Sequence, residues 1–217
     1  MKHKVDIHTW ARKEHYNLFS KFEEPIYGVV INVDVTVAYQ FAKANHISFF
    51  LYCMYRALGA AQFIEPFKYR IEDDEVFIYD RVDAASTVPR DNGTFGFGYF
   101  QYYPTLAAFM PEALKEMADV RSRTDLVPAS IENIIRFSAL PWIDFTSISH
   151  ARMFSAKMSG PSISFGKMTE KDGRRTMPVS IHVHHALVDG LHIGQFIEAF
   201  QGLLNRPLPT LPEGEGF

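Results

Sequence analysis

Cysteine is nearly absent: Cys53 is the only one in 217 residues, so no intrachain disulfide can form and a reducing compartment is the simplest home. It sits in the apolar stretch 47–55 and reads as a small buried hydrophobe. An excess of one charge is also lacking. The 22 basic and 25 acidic side chains leave a formal net charge of -3, which offers no broad attraction to a phosphate backbone and argues against nucleic acid as a partner. The N-terminus MKHKVDIHTW has no apolar core of the kind a secretory signal needs. No uncharged run approaches the ~18 residues that would span a bilayer. Together these absences predict a soluble, cytoplasmic protein with no membrane partner. Repeats and low-complexity blocks are missing too, which argues against solenoids and left-handed β-helices.

What remains is the balance of a folded globule, 47% hydrophobic and 22% charged. The length suits a single domain over 1–217, with 210–217 as a frayed tail beyond Pro207 and Pro209. Aromatic content of 14% suggests a pocket as well as a core. Residues 8–22 read as a short amphipathic helix, and 29–37, β-branched and alternating, as a strand. Residues 36–62 read as two helical pieces broken around Asn45-His46. A hairpin is expected across 69–79 around the acidic cluster Glu72-Asp73-Asp74-Glu75, then a strand over 94–103 and a helix over 106–123. A strand over 165–169 leads into a second hairpin that turns at Asp172-Gly173 and pairs with 176–184, and residues 190–204 carry one apolar stripe at helical spacing. The fold class expected is α/β, an α+β two-layer sandwich: a mixed, largely antiparallel sheet covered by helices.

The most informative stretch is PVSIHVHHALVDGLHIGQF, residues 178–196. Val179, Ile181 and Val183 alternate with Ser180, His182 and His184, so a strand delivers the chain to His185 just as a turn begins. Such positions suit catalytic groups, because a rigid element aims the side chain while the turn leaves it reachable. An imidazole, with an ordinary pKa of ~6.5, can accept and return a proton near neutrality. Asp189 either orients that histidine directly or holds the turn by pairing with a distant cation; spacing alone does not choose. Four histidines within residues 182–192 make a zinc site conceivable, but with no cysteine nearby and no His-Glu-x-x-His helix no metal is expected. His182 reads as a structural histidine.

Three motifs carry a resemblance. His184-His185-Ala186-Leu187-Val188-Asp189-Gly190 resembles the His-His-x-x-x-Asp-Gly signature of type A chloramphenicol acetyltransferases, and lies just before a C-terminal helix as it does there. Trp10-Ala11-Arg12-Lys13-Glu14-His15-Tyr16 is similar to that family's N-terminal motif. Leu140-Pro141-Trp142-Ile143-Asp144-Phe145-Thr146-Ser147 resembles its Pro-Trp-x-x-Phe-x-Ser. Order and spacing run from about residue 7 to 204. The resemblance implies an acetyl-CoA-dependent O-acetyltransferase, a homotrimer with sites between subunits, and chloramphenicol as acceptor. It implies His185 as general base, Ser147 donating to the oxyanion and Ser164 holding a water near it. Asp189 would pair with Arg12, and the imidazole's tautomer would be fixed by its own carbonyl. Leu18 and Phe19 would line the acceptor pocket, and Lys167 and Met168 would face the coenzyme.

The chain also departs from that pattern. Val188 stands where the family usually has cysteine, Leu18 replaces an aromatic, Met168 replaces a tyrosine, and residues 153–160 lack much of the usual aromatic character. These changes leave the chemistry intact and alter the acceptor's surroundings, so another hydroxylated small molecule is the alternative acceptor. An acyltransferase core of a 2-oxoacid dehydrogenase complex and a non-catalytic ligand-binding relative are the remaining alternatives.

Overall fold

The β-branched run after Pro25 and the alternating run after Arg174 find each other across most of the chain. In the computed structural model, which describes residues 1–128, 131–152, 158–206 and 208, β2 (Ile26–Asp34) pairs antiparallel with β10 (Arg174–His184). The tail expected to fray and most of the 153–160 segment lie outside the described residues. The remaining elements are β1 (Lys2–Lys4), α1 (Lys13–Phe19), α2 (Thr36–Ala44), α3 (Phe49–Phe63), β3 (Tyr69–Glu72), β4 (Glu75–Tyr79), β5 (Asp83–Pro89), β6 (Phe95–Phe100), α4 (Leu106–Ser122), β7 (Ile134–Ala139), β8 (Ser162–Phe165), β9 (Thr169–Lys171) and α5 (Gly190–Leu204).

The large sheet has the order β2-β10-β8-β7-β5-β6, with β9 pairing β10, and a small sheet runs β1-β4-β3. β7 is parallel to both β5 and β8; the other pairings are antiparallel. This is the mixed, largely antiparallel sheet that the residues predict. Val179, Ile181 and Val183 on β10, with Ile163 and Phe165 on β8, face a buried core shared with α3 and α5. α3 is the central helix. Every residue from Leu51 to Ala61 is buried and the stretch is apolar all round except for Arg56, whose Nε donates to Tyr52 Oη at 3.0 Å; Ser48 caps the helix by accepting from Leu51 N at 3.4 Å. No described helix is long and apolar enough to cross a membrane.

Several boundaries differ from the sequence reading. α1 begins at Lys13, after a turn in which Asp6 accepts from His8 N at 3.0 Å and Thr9 N at 3.2 Å, so the local Asx turn wins over helix before Trp10. β2 starts at Ile26 and ends at Asp34, whose carboxylate accepts from Thr36 N at 2.9 Å and turns the chain into α2. Strands β1, β5 and β7 were not legible as strands, and the strand expected over 165–169 is instead the end of β8 and the start of β9, with 166–168 in neither. The 69–79 hairpin and the Asp172-Gly173 turn form as expected, with positive φ at Asp73, Asp74, Asp172 and Gly173.

Candidate active site

β10 ends at His184, and the chain folds tightly: Leu187 N and Val188 N both donate to His184 O at 3.0 Å. His184 itself is buried, its Nδ1 accepting from Ala186 N at 3.3 Å, and burial with the neighbouring His185 pushes its pKa down to about 4. His184 is therefore held as a neutral ring. His185 N donates to Pro25 O at 2.8 Å, which ties the turn to the entrance of β2. The His185 ring stacks on Phe19 at 3.9 Å and 16° and meets Tyr27 at 4.6 Å and 44°. Its Nδ1 is buried with no hydrogen-bond partner from any other described residue, and the residue as a whole is only partly buried.

Asp189 makes no hydrogen bond to the His185 ring. Its Oδ2 accepts from Arg12 Nη1 at 2.5 Å, and its Oδ1 caps α5 by accepting from Leu191 N at 3.1 Å and His192 N at 3.4 Å. His192 Nδ1 returns the bond by accepting from Asp189 N at 3.2 Å, which completes a capping box. Burial alone would raise the Asp189 pKa, but the Arg12 hydrogen bond, the His192 and Arg12 charges and the His192 amide hold it below its ordinary value. Arg12 Nη2 also donates to His185 O at 3.4 Å. One guanidinium thus braces the helix cap and the turn that carries His185.

The other candidates are more scattered. Phe19 stacks on His185, whereas Leu18 next to it is 56% exposed. Ser147 lies exposed in a loop that runs beside β8, tied there by Lys167 N donating to Ile143 O at 2.8 Å. It forms no hydrogen bond with a described residue, and none joins it to His185. Lys167 is exposed and Met168 is half-buried against the core. Ser164 is buried on β8, its Oγ 3.3 Å from His150 Nε2. The structure therefore brings together His185, Phe19, Arg12 and Asp189, and separately Ser164 with residues that the sequence reading passed over.

Those residues follow from register. Arg136, Ser162, His182 and Gly28 form one row across β7, β8, β10 and β2; Ser138, Ser164 and Ser180 form the next. This is the sheet face turned away from α3 and α5. It floors a cavity of about 740 Å³ reached by Ser164, His150, His182 and Arg136. His150 and His182 meet edge to face at 4.9 Å. Burial lowers both their pKa values; the charge of Arg152 adds to that in each, and that of His150 in His182. Gly28 is what admits the second ring, since a Cβ there would stand 2.4 Å from His182 Cδ2 and Nε2. His182, read from the sequence as a structural histidine, lines this cavity. The signal available was the polar phase of β10 continuing in Ser162 and Ser164. Among the described residues no group of His, Cys, Asp and Glu is arranged to hold a metal.

Comparison with known proteins shows the family. The profile of the family described as chloramphenicol acetyltransferase matches residues 1–201. The chain is 28% identical over 208 residues to chloramphenicol acetyltransferase 3 of Escherichia coli, covering 94% of this chain and 98% of that one. It is 27% identical to the chloramphenicol acetyltransferase of Bacillus pumilus, covering 91% of each. A solved chloramphenicol acetyltransferase superposes with a TM-score of 0.85 at 33% identity, over 94% of this chain and 100% of that one. The truncated catalytic core of the 2-oxoacid dehydrogenase multienzyme complex from Thermoplasma acidophilum shares the fold, with a TM-score of 0.67 at 15% identity, covering 95% of this chain and 100% of that one.

Proposed function

Because this chain belongs to the chloramphenicol acetyltransferase family and is an acyltransferase, we propose that it moves the acetyl group of acetyl-CoA to a hydroxyl of chloramphenicol, with His185 as general base. The observation that carries this reading is the pose of His185, partly exposed at a strand end, with Nδ1 buried and the ring stacked on Phe19. Nε2 takes the proton of the acceptor hydroxyl as its oxygen bonds to the thioester carbonyl carbon. Ser147 donates a hydrogen bond to the oxyanion, where a positioned donor acts only once charge develops. The carbon–sulfur bond then breaks, the oxyanion collapses to the acetyl ester, and the thiolate takes the proton back from the imidazolium. Ser164 holds a water near the same oxygen. Arg12 and Asp189 position the turn without touching a reactant; Leu18 and Phe19 belong to the acceptor side, and Lys167 and Met168 to the coenzyme side.

No hydrogen bond joins Ser147 to His185 within one chain, which supports a homotrimer with each site between two subunits, the second subunit bringing the two side chains together. The exposure of Leu18 and of Trp142, 80% exposed, supports such an interface. The activity needs no metal, and its role is antibiotic inactivation in the cytoplasm. The test is thiol release from acetyl-CoA with chloramphenicol as acceptor. His185→Ala should lower kcat/KM by about 10²- to 10⁴-fold with an unchanged circular dichroism spectrum; an equal rate would eliminate the assignment. A second reading, acetylation of a different alcohol, is favoured by the polar row Arg136, Ser162 and His182 across the cavity floor.

A further inference from the structure

Among the described residues, nothing neutralises one cation of the cavity floor at contact. Arg136 is half-buried and makes no ion pair or side-chain hydrogen bond with a described residue, although it lines the cavity. A second guanidinium stands behind it. Arg70 is fully buried and spends its donors on the carbonyls of Phe67, Tyr69, Glu132 and Ile134, at 2.6 to 2.9 Å. The two flank one spot: a Cβ built on Gly160 would lie 3.1 Å from Arg70 Nε and 3.4 Å from Arg136 Nη1. Burial, and then the neighbouring Arg136 charge, lowers the Arg70 pKa to about 9, so neither side chain relieves the other.

The carboxylates nearby do not fill this role. Glu72 is paired with Lys2 and Tyr79, and Glu24 with Arg152. Glu132, whose charge acts on Arg136 from a distance, is exposed, as are Glu23 and Asp74 on the cavity rim. Charges facing water are screened, whereas a cation on a half-buried floor keeps its field. His182 adds a buried Nδ1 with no hydrogen-bond partner among the described residues.

We propose that Arg136 makes this cavity a site for alcohols that carry a carboxylate, with the anion against the planar guanidinium fork and the hydroxyl directed toward Ser164. A cavity of about 740 Å³ fits a small molecule of this kind. The inference rests on the acyl-transfer reading for the fate of the hydroxyl, and on Arg136 alone for the anion.

The probes are 4-(hydroxymethyl)benzoate and its methyl ester, which differ in the charge at one end. Calorimetry on the full-length protein should give the acid at least about tenfold tighter binding than the ester, the ratio expected of one charge-assisted pair. Arg136→Gln should erase that ratio, and Arg136→Lys, which keeps the charge and loses the fork, should reduce it. If Arg136→Gln does not fold, the lysine variant decides. Equal binding of acid and ester by the natural protein, or a ratio unchanged in the variants, overturns the proposal. Thiol release with each probe and with chloramphenicol separates the two readings. Arg136-dependent acid binding without thiol release from any alcohol defeats the acyl-transfer reading and leaves the anion site standing, while acetylation of chloramphenicol without acid binding does the reverse.

Discussion

Removing the Asp189 carboxylate should cost far more than an ordinary surface ion pair. Asp189→Ala deletes the cap on Leu191 N and His192 N, worth ~1 kcal/mol, and a negative charge at the N-terminus of α5, worth ~0.5 kcal/mol. It also leaves Arg12, whose side chain is only 13% exposed, as a largely desolvated cation. A fully buried unpaired charge costs ~3 to 5 kcal/mol; because Asp189 is 29% exposed, we take about half of that. The sum is ~3 to 4 kcal/mol, against the 5–15 kcal/mol typical of a folded domain. Asp189→Asn keeps the cap and should be milder by ~1 kcal/mol. Arg12→Ala combined with Asp189→Ala should show a coupling energy of ~1 to 3 kcal/mol. The assay is urea unfolding followed by tryptophan fluorescence, at one fixed protein concentration, since assembly would add to apparent stability. Trp10 packs edge-on to Tyr69 at 5.1 Å and reports on this region. A coupling energy indistinguishable from zero would refute the reasoning, because it would mean that the two charges do not depend on each other.

His184 makes stability depend on pH. Its folded pKa of about 4 lies below the ordinary 6.5, so its contribution is fully present above pH 6.5 and is lost as pH falls toward 4, when the unfolded chain takes up a proton that the native ring refuses. At 1.36 kcal/mol per unit this amounts to ~3 kcal/mol. His184→Gln should flatten urea midpoints across that window, and parallel curves for the two proteins would contradict the assignment. Gly28→Ala should displace the His182 ring and cost ~1 to 3 kcal/mol, seen as a lower thermal midpoint together with altered acceptor affinity; a midpoint unchanged within error would mean the ring moves freely.

Much of this was legible in the residues, and the reasons are specific. The Asp172-Gly173 hairpin, the alternation of β10 and the apolar stripe of α5 each have one period and one pairing solution. β7 was missed because IIRFSA mixes a core face with Arg136 and Ser138, and its neighbours β5 and β8 are distant in sequence and parallel to it. The motif around His185 could be read as a strand end, but spacing left open whether Asp189 touched the ring. The resemblance pointed to Arg12 as the partner of Asp189, and the fold brings Arg12 to it across 177 residues. The Arg136–Ser162–His182–Gly28 row depends on register between four strands, and no single stretch of sequence encodes it.

The pairing of β2 with β10 also has a consequence for synthesis. β2 emerges early, but its one neighbour in the sheet follows ~150 residues later, on the order of ten seconds at typical elongation rates. Until then Ile26–Asp34 presents an unpaired β-branched edge, open to association with other nascent chains. A polypeptide stopped before residue 174 never covers that edge, so premature termination should yield insoluble fragments, and slower elongation would lengthen the interval that a chaperone must protect.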